Sequence, residues 1–240
     1  MIHFEVCANS FTSAKNAQEA GAQRIELCSE LGVGGVTPSF GLLKKVCDEL
    51  SIKVNVLIRP RSGNFIYTSD EFDVILKDIA LAVDLGVNGI VCGSLDEDAT
   101  VNEKQLEAML KASANKEFTF HRAFDLVDDP YATYDLLDSY GVHRILSSGQ
   151  KQKAIDGIDL LKELNQRGQV KMMPGSGVNA SNIATFMGSG FTEVHFSGTV
   201  MSAEREAKIP FITPSLLGEY GYPTSDLSRL KEIIRSASAE

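Results

Sequence analysis

Short apolar runs alternate with longer amphipathic runs eight times along this chain. Short runs rich in β-branched residues predict strands, and apolar residues at helical spacing predict amphipathic helices. The predicted strands are Ile2–Cys7, Arg24–Cys28, Lys53–Ile58, Gly89–Cys92, Phe118–Arg122, Arg144–Ser147, Lys171–Met173 and Glu193–Phe196. The predicted helices are Ser10–Ala20, Ser39–Leu50, Ser69–Leu85, Asn102–Ala114, Pro130–Tyr140, Lys151–Asn165, Ala180–Met187 and Leu227–Ser236.

The boundaries of these elements carry signals of their own. Ser10 and Ser69 are expected to be N-caps, because a hydroxyl can accept from a free N–H group of the first turn. Gly21, Gly86 and Gly141 follow helical runs, where a left-handed residue ends a helix. The repeated order of helix, glycine and strand predicts an α/β protein, a single (β/α)8 TIM barrel spanning residues 1–240. An open, doubly wound sheet is the alternative.

Residues 199–226 separate the last predicted strand from the last predicted helix and interrupt the regular alternation of strands and helices. The segment is rich in proline and aromatic residues: Pro210, Pro214, Pro223, Phe211, Tyr220 and Tyr222. A long insertion at a barrel mouth is typical of a lid or an oligomer contact. We favour the oligomer contact, because these side chains have little core left to join, and we therefore expect a homo-oligomer.

Charge and composition narrow the choice of partners. The chain has 240 residues, of which 32 are acidic and 23 basic, and its net charge is −9. The absence of a basic block argues against a nucleic-acid partner. No run reaches the roughly 18 apolar residues that span a bilayer, and the first residues do not resemble a signal peptide. We therefore expect a cytoplasmic protein without a membrane partner, in which the four cysteines stay reduced.

A Glu-apolar-Cys pattern occurs at Glu5–Cys7 and again at Glu26–Cys28. Strands joined by one helix are parallel and usually adjacent, so the pattern predicts Glu5 beside Glu26 and Cys7 beside Cys28, where α/β barrels place their chemistry. Alternate residues of a barrel strand face the interior. By this rule Phe4, Val6, Ile25, Leu27, Val54, Val56, Ile58, Val194 and Phe196 face outward. The inward set is Glu5, Cys7, Glu26, Cys28, Asn55, Arg59, Glu193, His195 and Ser197.

Two thiols on neighbouring strands suit a soft ion such as Cu(I). They suit structural zinc poorly, because zinc is normally held by four ligands. A metal site at Cys7 and Cys28 is therefore one interpretation, and simple packing of two small apolar side chains is the other. Cys47 is expected to pack within a helix, and the pattern does not decide which way Cys92 faces.

Glycine-rich loops follow the sixth, seventh and eighth predicted strands. Barrels commonly bind phosphate with backbone N–H groups of the loops after strands seven and eight, and arginines add charge-assisted bonds. The candidate anion-binding residues are Arg59, Arg122, Ser148, Gly149, Gly175, Ser176, Gly177, Ser197 and Gly198. The alternative is that these glycines only form tight turns.

An enzyme is a further hypothesis, and whether the chain is one stays open. Glu5, Glu26, His121 and His195 would be its acid–base residues, acting on a small anionic, perhaps phosphorylated substrate in a hydrolase or isomerase type of reaction. A buried ion network that holds the barrel together is the alternative for the glutamates. No Gly-x-Gly-x-x-Gly follows the first strand, which argues against a nucleotide redox cofactor.

Seven short motifs together carry a family resemblance. They are Phe4–Ala8, Arg24–Cys28, Gly34–Ser39, Arg59–Gly63, Phe120–Asp125, Arg144–Gly149 and Met173–Val178. In order and spacing they resemble the copper homeostasis protein family CutC over nearly the whole chain. The resemblance implies a (β/α)8 barrel, a cytoplasmic location, a role in copper tolerance and Cu(I) binding through Cys7 and Cys28. The family often has glycine where this chain has Gln150 and Ser176.

Overall fold

Eight parallel strands form one sheet in this protein, whose computed structural model describes residues 2–201 and 222–237. The strands are β1 His3–Ala8, β2 Arg24–Leu27, β3 Lys53–Leu57, β4 Gly89–Cys92, β5 Glu117–Phe120, β6 Arg144–Ser147, β7 Lys171–Pro174 and β8 Glu193–Phe196. Their order is β7-β6-β5-β4-β3-β2-β1-β8. The two ends of this order, β7 and β8, contact each other, so the sheet is a nearly closed barrel. The predicted barrel is confirmed, and the open sheet is not observed.

Helices alternate with these strands along the chain. They are α1 Phe11–Ala20, α2 Phe40–Glu49, α3 Ser69–Asp84, α4 Glu103–Ala112, α5 Pro130–Ser139, α6 Ile158–Asn165, α7 Ile183–Gly188 and α8 Leu227–Ser236. Two short 3-10 helices, Leu31–Val33 and Arg122–Leu126, follow β2 and β5 at the barrel mouth. Within the described residues, no helix combines the length and the apolar character needed to cross a bilayer.

One of the two predicted N-caps is correct. Ser10 Oγ accepts from the Ser13 N–H group at 3.1 Å and begins α1. The prediction for Ser69 is wrong, because α3 is capped one residue earlier by Thr68. Thr68 Oγ1 accepts from the Glu71 N–H group at 3.3 Å, and the Thr68 N–H group donates to Glu71 Oε2 at 2.9 Å. This reciprocal pair is a capping box, and Ser69 is the first helical residue.

The two faces of the barrel wall differ in polarity, as the alternation predicts. The outward strand residues pack with the helices in the main apolar core, which includes Phe4, Val6, Ile25, Leu27, Val54, Val56, Ile58, Val194 and Phe196. Cys92 belongs to this outward core, which settles the direction that the sequence left open. The inward face holds a separate small cluster of Cys7, Cys28, Leu57 and Val91. The thiols of Cys7 and Cys28 therefore face the lumen.

The predicted register of β1 against β2 is wrong by two residues. Glu5 pairs with Arg24, and Cys7 pairs with Glu26. The strands of a closed barrel tilt and are staggered by a fixed shear, so equivalent motifs on neighbouring strands need not share a level. As a result a carboxylate lies beside Cys7, and Cys28 lies one level nearer the mouth.

The insertion after β8 begins and ends in a two-stranded antiparallel ribbon, with β9 Thr199–Met201 pairing with β10 Pro223–Ser225. The Ser225 N–H group donates to Ser13 Oγ at 3.0 Å, and Ser225 Oγ donates to the Cys7 carbonyl at 3.3 Å. The ribbon is thereby held against α1 and the end of β1. Residues 202–221 lie outside the described part of the chain, so the lid and the oligomer contact remain predictions.

Candidate functional site

A network of paired charges crosses the floor of the barrel. Arg24 contacts Glu5 through Nε and Glu193 Oε2 through Nη2, the latter at 2.5 Å. Arg144 contacts Glu193 Oε2 at 3.0 Å through Nε and Glu117 Oε2 at 2.8 Å through Nη2. Arg24, Glu5, Glu193 and Arg144 are buried. Ions buried in this way persist because each is paired, and losing one partner leaves an uncompensated charge.

A second chain of contacts rises from Glu5 to the barrel mouth. His195 Nδ1 lies 2.9 Å from Glu5 Oε1, and His195 Nε2 lies 3.7 Å from Glu26 Oε2. The Cys7 thiol donates to Glu26 Oε2 at 3.4 Å, and the sulfur atoms of Cys7 and Cys28 lie 3.7 Å apart. Glu5, predicted as an acid–base residue, is therefore enclosed beneath the site and can act only through His195.

Burial and neighbouring charges shift these groups in opposite directions. Burial raises the pKa of Glu5, but Arg24 and His195 outweigh it and hold that pKa well below its usual value. Burial also raises the pKa of Glu193, but Arg144 and Arg24 outweigh burial and lower this pKa to about 2. The pKa of Glu26 is raised by burial, with His195 opposing the shift. Carboxylates of the same lumen thus differ in their readiness to take a proton.

The imidazole and the thiol at the mouth both favour their protonated forms. Burial lowers the pKa of His195, but Glu26 and Glu5 outweigh it, so that the pKa is raised overall. The pKa of Cys7 is raised well above its usual value by its hydrogen bond with Cys28 and by burial. A cation that binds here must therefore displace protons.

Three side chains of different chemistry converge at this point. One ligand atom from each of Cys7, Glu26 and His195 lies within 4.8 Å of the other two. The sequence assigned Cys7 to a metal and the other two residues to catalysis, so the combination was missed. Their shared inward alternation was the available signal, since it predicts that all three face one lumen.

These groups open into a pocket of about 310 Å³ at the mouth of the barrel. Cys7, Glu26 and His195 form part of its lining, together with Arg59, His121 and Arg122. Apolar walls are contributed by Leu31, Leu57, Phe65, Leu146, Val178 and Phe196. Cys28 is fully buried and is not part of the pocket lining. The pocket lining thus includes a thiol, a carboxylate and two guanidinium groups.

The loop after β6 does not offer its donors to this pocket. Asp125 accepts from the N–H groups of Ser148 and Gln150 at 3.0 and 3.2 Å and from Ser147 Oγ at 2.6 Å. Arg122 Nε donates to the same carboxylate at 2.7 Å. A carboxylate of the chain therefore occupies the position where Ser148 and Gly149 were predicted to bind an anion. Asp125 lies within the Phe120–Asp125 motif, but no role was predicted for it.

The other candidate anion-binding residues divide into two groups. Arg59, Arg122, Ser176, Gly177 and Ser197 line the pocket. The N–H group of Gly175 donates to the Ser147 carbonyl at 2.9 Å, and a side chain at Gly198 would collide with Leu230 of α8. Gly175 and Gly198 thus serve backbone bonding and close packing.

Sequence comparisons place this chain among known proteins. The pattern of the CutC family matches residues 2–200. A family protein CutC from Photorhabdus laumondii is 44% identical over 200 residues, which cover 83% of this chain and 81% of that protein. One from Treponema denticola is 37% identical over 247 aligned positions, covering 98% of each chain. The matched range of residues 2–200 spans all eight barrel strands and the positions that line the pocket.

Structural comparisons agree. A crystal structure from Streptococcus agalactiae, named as copper homeostasis protein CutC, superposes with a TM-score of 0.77 at 33% identity, covering 82% of this chain and 99% of that one. A 3-hexulose-6-phosphate synthase from Salmonella typhimurium gives a TM-score of 0.63 at 12% identity, with 99% of both chains covered. At that identity the second likeness concerns the fold alone.

Proposed function

This chain belongs to the CutC family, and we propose that it serves copper homeostasis by binding Cu(I) at the barrel mouth. Cys7 and Cys28 would be the thiolate ligands, with His195 as the third donor. The observation that carries the proposal is the 3.7 Å separation of the two sulfur atoms, next to an imidazole that a carboxylate orients. The Streptococcus agalactiae relative is named for copper homeostasis.

The donor set fits a soft cation. Metal–sulfur bonds of roughly 2.3 Å allow two sulfur atoms at this separation to reach one ion. Thiolates select Cu(I), and imidazole is also a copper ligand. Glu5 faces His195 Nδ1, which leaves Nε2 directed toward Glu26 and the thiol. Carboxylate support of this kind fixes the tautomer of a ligating histidine.

Glu26 has a different part in this proposal. A carboxylate oxygen is a hard donor and a poor ligand for Cu(I). Glu26 instead accepts the hydrogen of the Cys7 thiol, and its raised pKa suits it to take that proton when the metal arrives. Because protons are displaced, we expect Cu(I) affinity to increase with pH.

Competition with a Cu(I) chelator under reducing conditions tests the proposal. Cys7→Ser and Cys28→Ser should each weaken binding by more than the roughly 10- to 100-fold that loss of a supporting contact costs. Cys47→Ser and Cys92→Ser are matched controls, because Cys47 lies half-buried on α2 and Cys92 in the outward core. Unchanged affinity in both Cys7→Ser and Cys28→Ser would refute the proposal.

Catalysis on a small organic anion is a second candidate. It is favoured by two groups with raised pKa values, Glu26 and His195, that lie 3.7 Å apart and line the pocket. Such a pair can exchange protons with a bound substrate. A panel of phosphorylated and carboxylated carbonyl compounds in D2O should then gain deuterium with the wild type and not with Glu26→Gln. Absence of exchange across the panel would speak against this candidate.

We also propose a cytoplasmic setting and a homo-oligomer. The cytoplasm keeps thiols reduced, as a Cu(I) site of this kind requires. The oligomer would use the insertion of residues 199–226, and light scattering tests it: a monomer at all concentrations would remove the proposal.

A further inference from the structure

Arg59 is a buried cation that no carboxylate neutralises within the described part of the chain. Its side chain is 5% exposed. Nη1 donates to the carbonyls of Val33 and Gly35 at 2.9 and 2.8 Å, and Nη2 donates to the Gly63 carbonyl at 2.7 Å. Burial lowers the pKa of Arg59, yet a guanidinium stays charged in proteins. The carbonyls fix its position and leave the positive charge in place.

The Nε atom of Arg59 is also unused. It is buried and has no hydrogen-bond partner of normal geometry among the described residues, and the Tyr67 hydroxyl, which is also buried and unpaired, lies near the guanidinium. A buried donor without a partner costs the free energy of its desolvation, which is why such donors are rare. The charge and the free donor lie on a side chain that lines the pocket.

His121 carries a second free donor in the same wall. Its Nδ1 accepts from the Ala123 N–H group at 3.2 Å, so the ring proton lies on Nε2. Nε2 is buried and has no acceptor in the described ranges. Burial and the nearby Arg59 lower the pKa of His121 to about 3. At neutral pH this imidazole is therefore an uncharged N–H donor.

Phe65 brings these two side chains together. The Arg59 guanidinium lies over the Phe65 ring at 4.9 Å, and the His121 ring lies 4.5 Å from the Phe65 ring between centroids. Arg122 lines the same pocket, but its charge is already paired with Asp125, whose Oδ2 lies 2.7 Å from Arg122 Nε. The pocket wall thus presents the charge of Arg59 and two N–H groups that meet no acceptor among residues 2–201 and 222–237.

From this geometry we propose that the pocket binds a small organic anion, whose oxyanion accepts from Arg59 Nε and His121 Nε2. A metal ion does not fit this wall, because a guanidinium has no acceptor atom and Nε2 carries its proton. The volume of about 310 Å³ suits a small metabolite. The inference goes beyond copper binding, and it also names the substrate class that the second candidate function would need.

Carboxylates and phosphate monoesters share the chemistry that this wall would recognise. The probes are therefore malonate and inorganic phosphate, with uncharged malonamide as the comparison, all at constant ionic strength. The readout is the side-chain NMR signal of His121 Nε2–H in the metal-free wild-type protein. A saturable shift with malonate alone, phosphate alone or both supports the proposal and identifies the class of oxyanion.

His143 provides a matched control. Its Nδ1 also accepts from a backbone N–H group, that of Phe118 at 3.2 Å, but it is exposed and precedes β6 at the opposite end of the barrel. Its signal should not move. Absence of a saturable shift at His121 up to high millimolar concentrations, or equal shifts at both histidines, would overturn the proposal.

Substitution supplies an independent test. His121→Asn keeps an acceptor for the Ala123 N–H group and removes the Nε2 donor, and it should weaken anion binding about tenfold. His143→Asn should leave binding unchanged. Circular dichroism verifies that both variants fold, and calorimetry gives the two affinities. Equal affinity in His121→Asn and the wild type contradicts the proposal, whatever the copper experiments show.

Discussion

Glu5 Oε1 lies 2.9 Å from His195 Nδ1, and this contact joins the charge network of the barrel floor to the thiol site at its mouth. Glu5 receives Arg24 on its other oxygen, so one carboxylate holds both a guanidinium and an imidazole. The orientation of His195 therefore depends on charges located well below the pocket. A change at the floor should be detectable at the mouth.

Glu5→Gln should lower the pKa of His195, because Glu5 helps to raise it. The same substitution should weaken Cu(I) binding about 10- to 100-fold, as for other supporting carboxylates, and should destabilise the fold, because Arg24 would keep only Glu193 as a charged partner. NMR titration of His195 and chelator competition measure the first two effects. An unchanged pKa of His195 would show that Glu5 does not control this imidazole.

Acid should destabilise the protein through Glu193. Its folded pKa of about 2 lies below the usual value of 4.5. Its contribution, on the order of 3 kcal/mol, is therefore present above about pH 4.5 and lost as the pH falls toward 2. Glu5 acts in the same direction, whereas Glu26, whose pKa is raised, opposes it. Urea unfolding from about pH 6 to about pH 3 measures the change. Stability that stays constant across this range would contradict the assignment.

The start of α3 offers a paired test. Thr68→Ala removes the hydroxyl that caps the helix and should destabilise the protein by about 1 kcal/mol. Ser69→Ala changes a residue inside the first turn and should have little effect. Urea unfolding of the two variants compares them directly. Equal losses would mean that the capping box at Thr68 and Glu71 is not the determinant.

Ser176 has a left-handed backbone, with φ at 81°, and its hydroxyl donates to the Gln152 carbonyl at 2.8 Å. Ser176→Ala keeps the backbone strain and loses the hydrogen bond, so it should cost about 1 kcal/mol. Ser176→Gly loses the same bond but relieves the strain. In thermal or urea unfolding the glycine variant should therefore be the more stable of the two. The reverse order would show that the strain is negligible.

The sequence was sufficient to predict the fold and to predict that most of the lumen residues point inward. Alternation of apolar and polar positions predicted that Glu5, Cys7 and His195 face inward, because the period of a strand is independent of its neighbours. It was insufficient for the register of β1 and β2. A repeated motif says nothing about the stagger between strands, which closure of the whole barrel determines.

The free hydrogen-bond donors of the pocket wall were harder to predict from the sequence. Arg59 and His121 were both candidates, but their free N–H groups follow from which backbone carbonyls and amides their other atoms meet. The Arg59 contacts reach carbonyls more than 20 residues away, and whether His121 Nε2 meets an acceptor depends on the assembled barrel, so no local pattern encodes the free donors. Asp125 illustrates the same limit, since only the folded loop brings it to the N–H groups after β6.

Asp125 also has a consequence for the design of new activities on this scaffold. The amides after β6 already form a receptor for negative charge, and the protein fills that receptor with its own side chain. An engineer who wished to bring an exogenous phosphate to this loop would not have to rebuild it. Replacing Asp125 with a residue that has a shorter side chain would free these N–H groups. The loop would then lose the hydrogen bonds that now hold it rigid.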